Sequence, residues 1–166
     1  VLRTSTLHPL HVIELPLHAV YRNHWSLSGR RVPSAASRDA AVYLPGRNVL
    51  LVSTAAIVSA ERGLSTIALG ILKGNPFGDA PPRFFADLTR SLTQALNHPI
   101  RILTPLRRFT KAQLVTSATP ALFPFTFSCL NPHGVQHCGR CNKCAERQRA
   151  FRAAGVSDPT RYADVR

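Results

Sequence analysis

STIALGILKGNPFGDAPPRFFADLTRSLTQALNHPIRILTPL, residues 65–106, reads as strand, helix, strand. STIALGIL (65–72) is a continuous apolar run of the kind a central parallel strand needs when both of its faces are covered. PRFFADLTRSLTQALN (82–97) has proline at its start and puts Phe84, Leu88, Leu92 and Leu96 on one face, so it predicts an amphipathic helix. IRILTPL (100–106) is a second short apolar run. Two strands joined through a helix argue for a parallel pair, which needs a crossover connection that a tight turn cannot supply.

Working outward, NVLLVSTAAIVSAERG (48–63) predicts a buried helix stopped by Gly63. HVIELPL (11–17) alternates and is bounded by Pro16, which predicts a short strand. From Tyr21 to Tyr43 the chain is polar and rich in Ser, Arg and Pro, and is expected to be a long loop. Downstream, TKAQLVTSA predicts a short helix capped by Thr110. Strands alternating with helices argue for an α/β fold around a parallel sheet. In such sheets ligands sit beyond the carboxyl ends of the strands, which directs attention to the loops YRNHWSLSGRR, KGNPFGD and RRFTK. No internal repeat and no low-complexity tail is present.

The 166 residues are one domain's worth. No run of 18 apolar residues appears, which excludes a spanning helix. His8, Pro9, His11 and Glu14 interrupt the opening segment and exclude a signal-peptide core, so a soluble, cytoplasmic protein is expected. The net charge of +13 favours anionic partners. Yet 18 of the 21 basic residues are Arg, with only Lys73, Lys111 and Lys143, and they are scattered. A solvated surface from an Arg-favouring genome accounts for them better than a dedicated nucleic-acid face. The sequence contains no Met and opens on Val1 in what reads as mid-domain sequence. An upstream segment is therefore expected.

CLNPHGVQHCGRCNKCAERQRAF (129–151) holds every cysteine: Cys129, Cys138, Cys141 and Cys144, spaced Cx8CxxCxxC. Four thiolates at this spacing suit a closed tetrahedral Zn²⁺ site, structural because it keeps no open position for substrate. Ferredoxin-type iron–sulfur runs differ in spacing, and disulfides are disfavoured without secretion. His133 and His137 lie inside the loop but are not needed as ligands. Arg140, Lys143 and Arg147 are expected to offset the charge of the thiolates, and Arg149 and Arg152 to form a solvated helix face. The chain divides into residues 1–127, a partial α/β domain, and 128–166, a zinc-binding helical segment of the same domain.

YLPGRN (43–48), STIALG (65–70), FTKAQLV (109–115), SC (128–129) and HCGRCNKCAERQRAF (137–151), in this order, resemble the 7-cyano-7-deazaguanine synthase family of adenine-nucleotide alpha-hydrolase-like ATP pyrophosphatases. The resemblance covers about residues 11–153. It implies a HUP-like, Rossmann-like nucleotide-binding fold using ATP and Mg²⁺. It also implies conversion of 7-carboxy-7-deazaguanine and ammonia to 7-cyano-7-deazaguanine for queuosine biosynthesis. By position, Arg47 and Asn48 match the family's PGRN element, Asp79 an acidic residue, Lys111 a phosphate-neutralising lysine, and the four cysteines the zinc ligands. No catalytic residue is assigned.

The family's opening strand and Ser-Gly-Gly-x-Asp-Ser phosphate loop have no counterpart here, so the fold is expected to be incomplete at its N-terminal side. Exposed sheet surface should then drive poor solubility or homo-oligomers. GNPFGDAPP also departs from the family's usual wording. That leaves open a relative acting on another carboxylate, such as a protein C-terminus, and an inactive or zinc-ribbon nucleic-acid-binding module.

Overall fold

The computed structural model describes residues 8–163; the opening part of the segment read for a signal peptide, residues 1–7, lies outside them. Two parallel strands, β1 (Thr66–Ala68) and β2 (Arg101–Leu103), pair Thr66 with Arg101, Ile67 with Ile102 and Ala68 with Leu103. Helices α1 (His18–Tyr21), α2 (Trp25–Ser28) and α3 (Arg47–Glu61) precede β1. Helix α4 (Pro82–Leu96) makes the crossover, and α5 (Lys111–Ser117) and α6 (Asn142–Ala154) follow β2.

The expected helices form where the sequence puts them, but α3 is not the buried helix its apolar content predicts: only Asn48, Val52 and Ala56 are buried, while Leu51 and Ile57 face outward. Proline opens α4, where its missing N–H leaves no bond unmade. Asn97 then ends the helix in the left-handed conformation. Thr110 caps α5 through a capping box, its side chain taking the Gln113 N–H while Gln113 reaches back to the Thr110 N–H. Helix α3 is launched by Gly46 at φ 69°, a conformation that penalises any Cβ.

α3 and α4 pack on one side of the strand pair. Val52, Ile71, Ala80 and Phe85 form one cluster, flanked by Phe84, Leu88 and Leu92. Ala56, Ile67 and Ile100 form the next, closed by Leu96. Burying a side chain such as Phe85 contributes about 2–3 kcal/mol. A separate core joins α5 to α6, with Phe123 edge-on to Phe151 at 4.9 Å between ring centroids.

Three expectations are corrected. Residues 11–17 form no strand; Leu10 and Val12 are exposed, and among the described residues no neighbouring strand takes up their backbone groups. Alternation marks what a strand would bury, but a strand exists only where its N–H and C=O find partners. The run at 65–72 is not a central strand. It is three residues long, pairs on one side among the described residues, and leaves the sheet once the Leu69 N–H has bonded to the Leu103 carbonyl. β2 likewise stops at Leu103, because residues 104–107 close a turn. The long loop of residues 21–43 is broken by α2 and by a 3-10 turn at Asp39–Val42.

Candidate functional site

A cleft of about 520 Å³ opens at the carboxyl end of β1, within the usual range for a small-molecule site. The loop after β1 supplies Lys73 and Phe77, the 21–43 segment supplies Trp25 and Tyr43, and the helix starts supply Arg47 and Lys111. Tyr43 and Phe77 stack at 4.9 Å and 22° between planes, giving the cleft a flat aromatic wall. The Trp25 indole is held by donating to the Ala41 carbonyl at 3.1 Å.

Arg47, Asp79 and Lys111 all line this cleft. Asn48 does not; it is buried behind the wall. Its backbone N–H donates to Asp79 Oδ2 at 3.0 Å and its side-chain amide to the Asp79 carbonyl at 2.8 Å. Arg47 Nη2 donates to Asn48 Oδ1 at 3.1 Å, which aims the guanidinium along the cleft rim. Of the PGRN pair, Asn48 therefore positions and Arg47 is presented. The same wall is braced by Arg107, whose guanidinium makes two bonds to the Ala80 carbonyl.

Sequence reasoning missed two groups at the site, Tyr43 with Phe77 and Glu146. Glu146 Oε2 accepts from Lys111 at 3.1 Å and from Lys143 at 2.7 Å, all three lining the cleft. Burial alone would raise the Glu146 pKa, but the two ammonium groups overrule it and hold it below its ordinary value. The only hint in the sequence is that Lys143 and Glu146 are three apart on a helix.

The cleft's far wall is built on the cysteine knuckle. The Sγ atoms of Cys129, Cys138, Cys141 and Cys144 lie within 4.8 Å of one another, and all four are free thiols. Zn–S bonds of about 2.3 Å in a tetrahedron imply S–S edges of about 3.8 Å, so a small contraction closes this set round an ion. Backbone N–H groups already aim at the sulfurs: Cys138 and Asn131 at Cys129 Sγ, Leu130 and Cys144 at Cys141 Sγ. Burial raises the Cys141 thiol, but these donors and the neighbouring thiols outweigh it and bring it to about 7. Four sulfurs so arranged are positioned to bind a metal ion. Gly139 turns the knuckle at φ 73° against the Tyr162 ring. Cys141 also caps α6, accepting from the Cys144 N–H, so the helix bearing Lys143 and Glu146 begins at the metal site.

His137 is no ligand: it is buried, its Nε2 accepts from the Ser128 N–H at 3.0 Å, and its ring lies 4.3 Å from Phe127. Burial and the charge of Arg147 push its pKa down, keeping the ring neutral. Two of the three cations expected to balance the thiolates are otherwise engaged, and the third, Arg140, is exposed. Lys143 pairs with Glu146, and Arg147 is buried against Asp158 with Nε–Oδ1 at 3.1 Å. Arg149 and Arg152 are exposed, as expected of a solvated face.

The family model described as Queuosine biosynthesis protein QueC matches residues 6–155. The chain belongs to that family. Among its relatives, the 7-cyano-7-deazaguanine synthase of Anaeromyxobacter dehalogenans is 36% identical over 143 residues, covering 80% of this chain and 61% of that protein. The synthase of Paracoccus denitrificans is 33% identical over 167 residues, covering 95% and 71%. That of Rhizobium etli is 35% identical over 130 residues, covering 75% and 55%. The chain thus spans between about half and three quarters of the length of these curated relatives. Among the described residues no helix is long and apolar enough to cross a membrane.

Proposed function

We propose that this chain belongs to an ATP-dependent ligase that converts 7-carboxy-7-deazaguanine and ammonia to 7-cyano-7-deazaguanine in the cytoplasm, on a HUP-like nucleotide-binding fold. The observation that carries the reading is that Arg47, Asp79 and Lys111, matched to the family by motif alone, line one cleft beside the stacked Tyr43 and Phe77. A planar, purine-like base fits an aromatic wall, and a carboxylate or phosphate fits cations at its rim.

In this reading the substrate carboxylate attacks the α-phosphorus of ATP and pyrophosphate leaves. Ammonia displaces AMP to give the amide, and a second ATP activates the amide oxygen, whose departure with AMP leaves the nitrile. Arg47 and Lys111 stabilise negative charge that grows on the phosphate and carboxylate oxygens. Asn48 and Asp79 keep Arg47 at the rim, and Tyr43 and Phe77 hold the base flat. Mg²⁺, when bound with ATP, neutralises the polyphosphate. Zn²⁺ is the metal that best suits the four sulfurs, in a structural role.

The test is incubation of the zinc-loaded chain with ATP, ammonium and 7-carboxy-7-deazaguanine, following AMP release and nitrile formation by chromatography. Binding of 7-carboxy-7-deazaguanine is expected in calorimetry, and substrate-dependent AMP release once a segment carrying the family's strand and phosphate loop is joined ahead of Val1. If the substrate fails to bind while another carboxylate triggers AMP release, the ligase belongs to a different substrate.

A further inference from the structure

Every lysine in the chain lines the same cleft. Arginines outnumber lysines 18 to 3 in the sequence, yet Lys73, Lys111 and Lys143 all line the cleft, beside a single arginine among the described residues, Arg47. They come from three separate segments: the loop after β1, the first residue of α5 and the first turn of α6. The fold fixes each stem. The Lys73 N–H donates to the Phe109 carbonyl at 2.9 Å, Lys111 follows the Thr110 cap, and Lys143 follows the Cys141 cap. Glu146 Oε2 touches both the Lys111 and Lys143 ammoniums, which holds two like charges side by side. Among the described residues Lys73 makes no ion pair.

The acidic residues of the cleft offset most of this charge but leave a cationic excess. Asp79 is committed to Asn48 and Asp39 accepts from the Asn142 amide. Among the described residues, four cationic side chains line the cleft against three acidic ones. An ammonium is a compact charge with three rotatable donors, whereas guanidinium is a rigid fork. Lysine therefore suits an oxyanion whose orientation changes during a reaction.

We propose that Lys73, Lys111 and Lys143 form an oxyanion-binding site for a carboxylate or phosphate group, with Glu146 holding the Lys111–Lys143 pair in place. The identity of the ligand rests on the function proposed above; the existence of the site does not. Because Lys143 is carried on the helix capped by Cys141, the metal knuckle then carries part of the ligand site.

Three lysines make the test direct. Reductive ¹³C-methylation of the zinc-loaded chain preserves lysine charge and gives three lysine signals to follow by NMR. Titration with inorganic pyrophosphate is expected to shift all three with one saturation constant, while chloride at equal ionic strength does not. K143A is expected to weaken that constant by about tenfold. R149A, on the exposed face of the same helix, is expected to leave it unchanged, and zinc content and circular dichroism check that both variants fold.

Parallel titrations with AMP and with 7-carboxy-7-deazaguanine separate the two sources of the anion. If K143A weakens only the carboxylate, the site takes the carboxylate; if only AMP, it takes phosphate. Lysine signals that respond to pyrophosphate but to neither of the other two keep the site and overturn the proposed function. Signals unmoved by all three, or a K143A chain that binds them like the parent, overturn the site.

Discussion

Asp79, from the loop before α4, caps α3 from 31 residues away: its carboxylate accepts the Asn48 N–H while its carbonyl accepts the Asn48 amide. The first turn of a helix carries unsatisfied N–H groups and a partial positive charge, and a buried carboxylate answers both. The pair also ties the strand-end loop to the helix that presents Arg47.

Replacing Asp79 by Ala leaves the buried Asn48 N–H without its acceptor. D79A is expected to lose about 1–3 kcal/mol of stability, read as a lower urea midpoint. D79N retains an acceptor oxygen and should lose less. Equal losses in the two variants would count against the capping account.

The Arg147–Asp158 pair sets an acid limit. Burial would raise the Asp158 pKa, but bonds from Thr160 and Tyr162, with the charge of Arg147, pull it below the ordinary carboxylate value. A depressed folded-state pKa gives stability that is present above the unfolded value. It is lost as pH falls through the lower, folded one. This contribution should therefore be flat from pH 7 to pH 5 and disappear only below about pH 4. D158N leaves a buried guanidinium uncompensated and is expected to cost about 3–5 kcal/mol at neutral pH. Urea titrations of both proteins across this range check the prediction.

Removing the metal should dissolve one wall of the cleft. Chelation of the zinc-loaded chain is expected to release one equivalent of Zn²⁺ and to lower helix content as α6 loses its start, since binding to such sites is coupled to folding. C144A should behave as the chelated protein does. Unchanged circular dichroism after full zinc release would show that the knuckle folds without its ion.

Exposed apolar side chains on α3 (Leu51, Ile57) and at Leu10, Val12 and Leu103 leave a surface that water covers poorly. Self-association is expected, seen as concentration-dependent sedimentation. A monodisperse monomer at high concentration would refute it.

How much of this was legible in sequence follows from what each signal measures. Helix α4 was, because a 3.6-residue stripe states both the element and its buried face. The four cysteines were, because their chemistry leaves few uses for such a cluster. The strand expected at 11–17 failed because alternation says nothing about a partner. Tyr43 and Phe77 were hidden in segments without periodicity, and they meet only when the fold stacks them. Glu146 and Asp158 were invisible as partners of Lys111 and Arg147, since pairs formed across the fold leave no trace in local spacing.

The segment after Arg31 is fastened almost entirely from the far end of the chain. The Ala35 N–H donates to the Arg140 carbonyl, the Asn142 N–H to Pro33, and the Asn142 side chain to Ser37 and Asp39. Residues 39 and 142 are 103 positions apart, so a ribosome adding about 5–20 residues per second makes the second roughly 5–20 s after the first. Through that interval the nascent chain has α3 and α4 available to fold, but no anchor for residues 33–39. The far wall of the cleft is therefore assembled last, and a chain stalled before Cys138 would carry a folded helical core and a cleft open on that side.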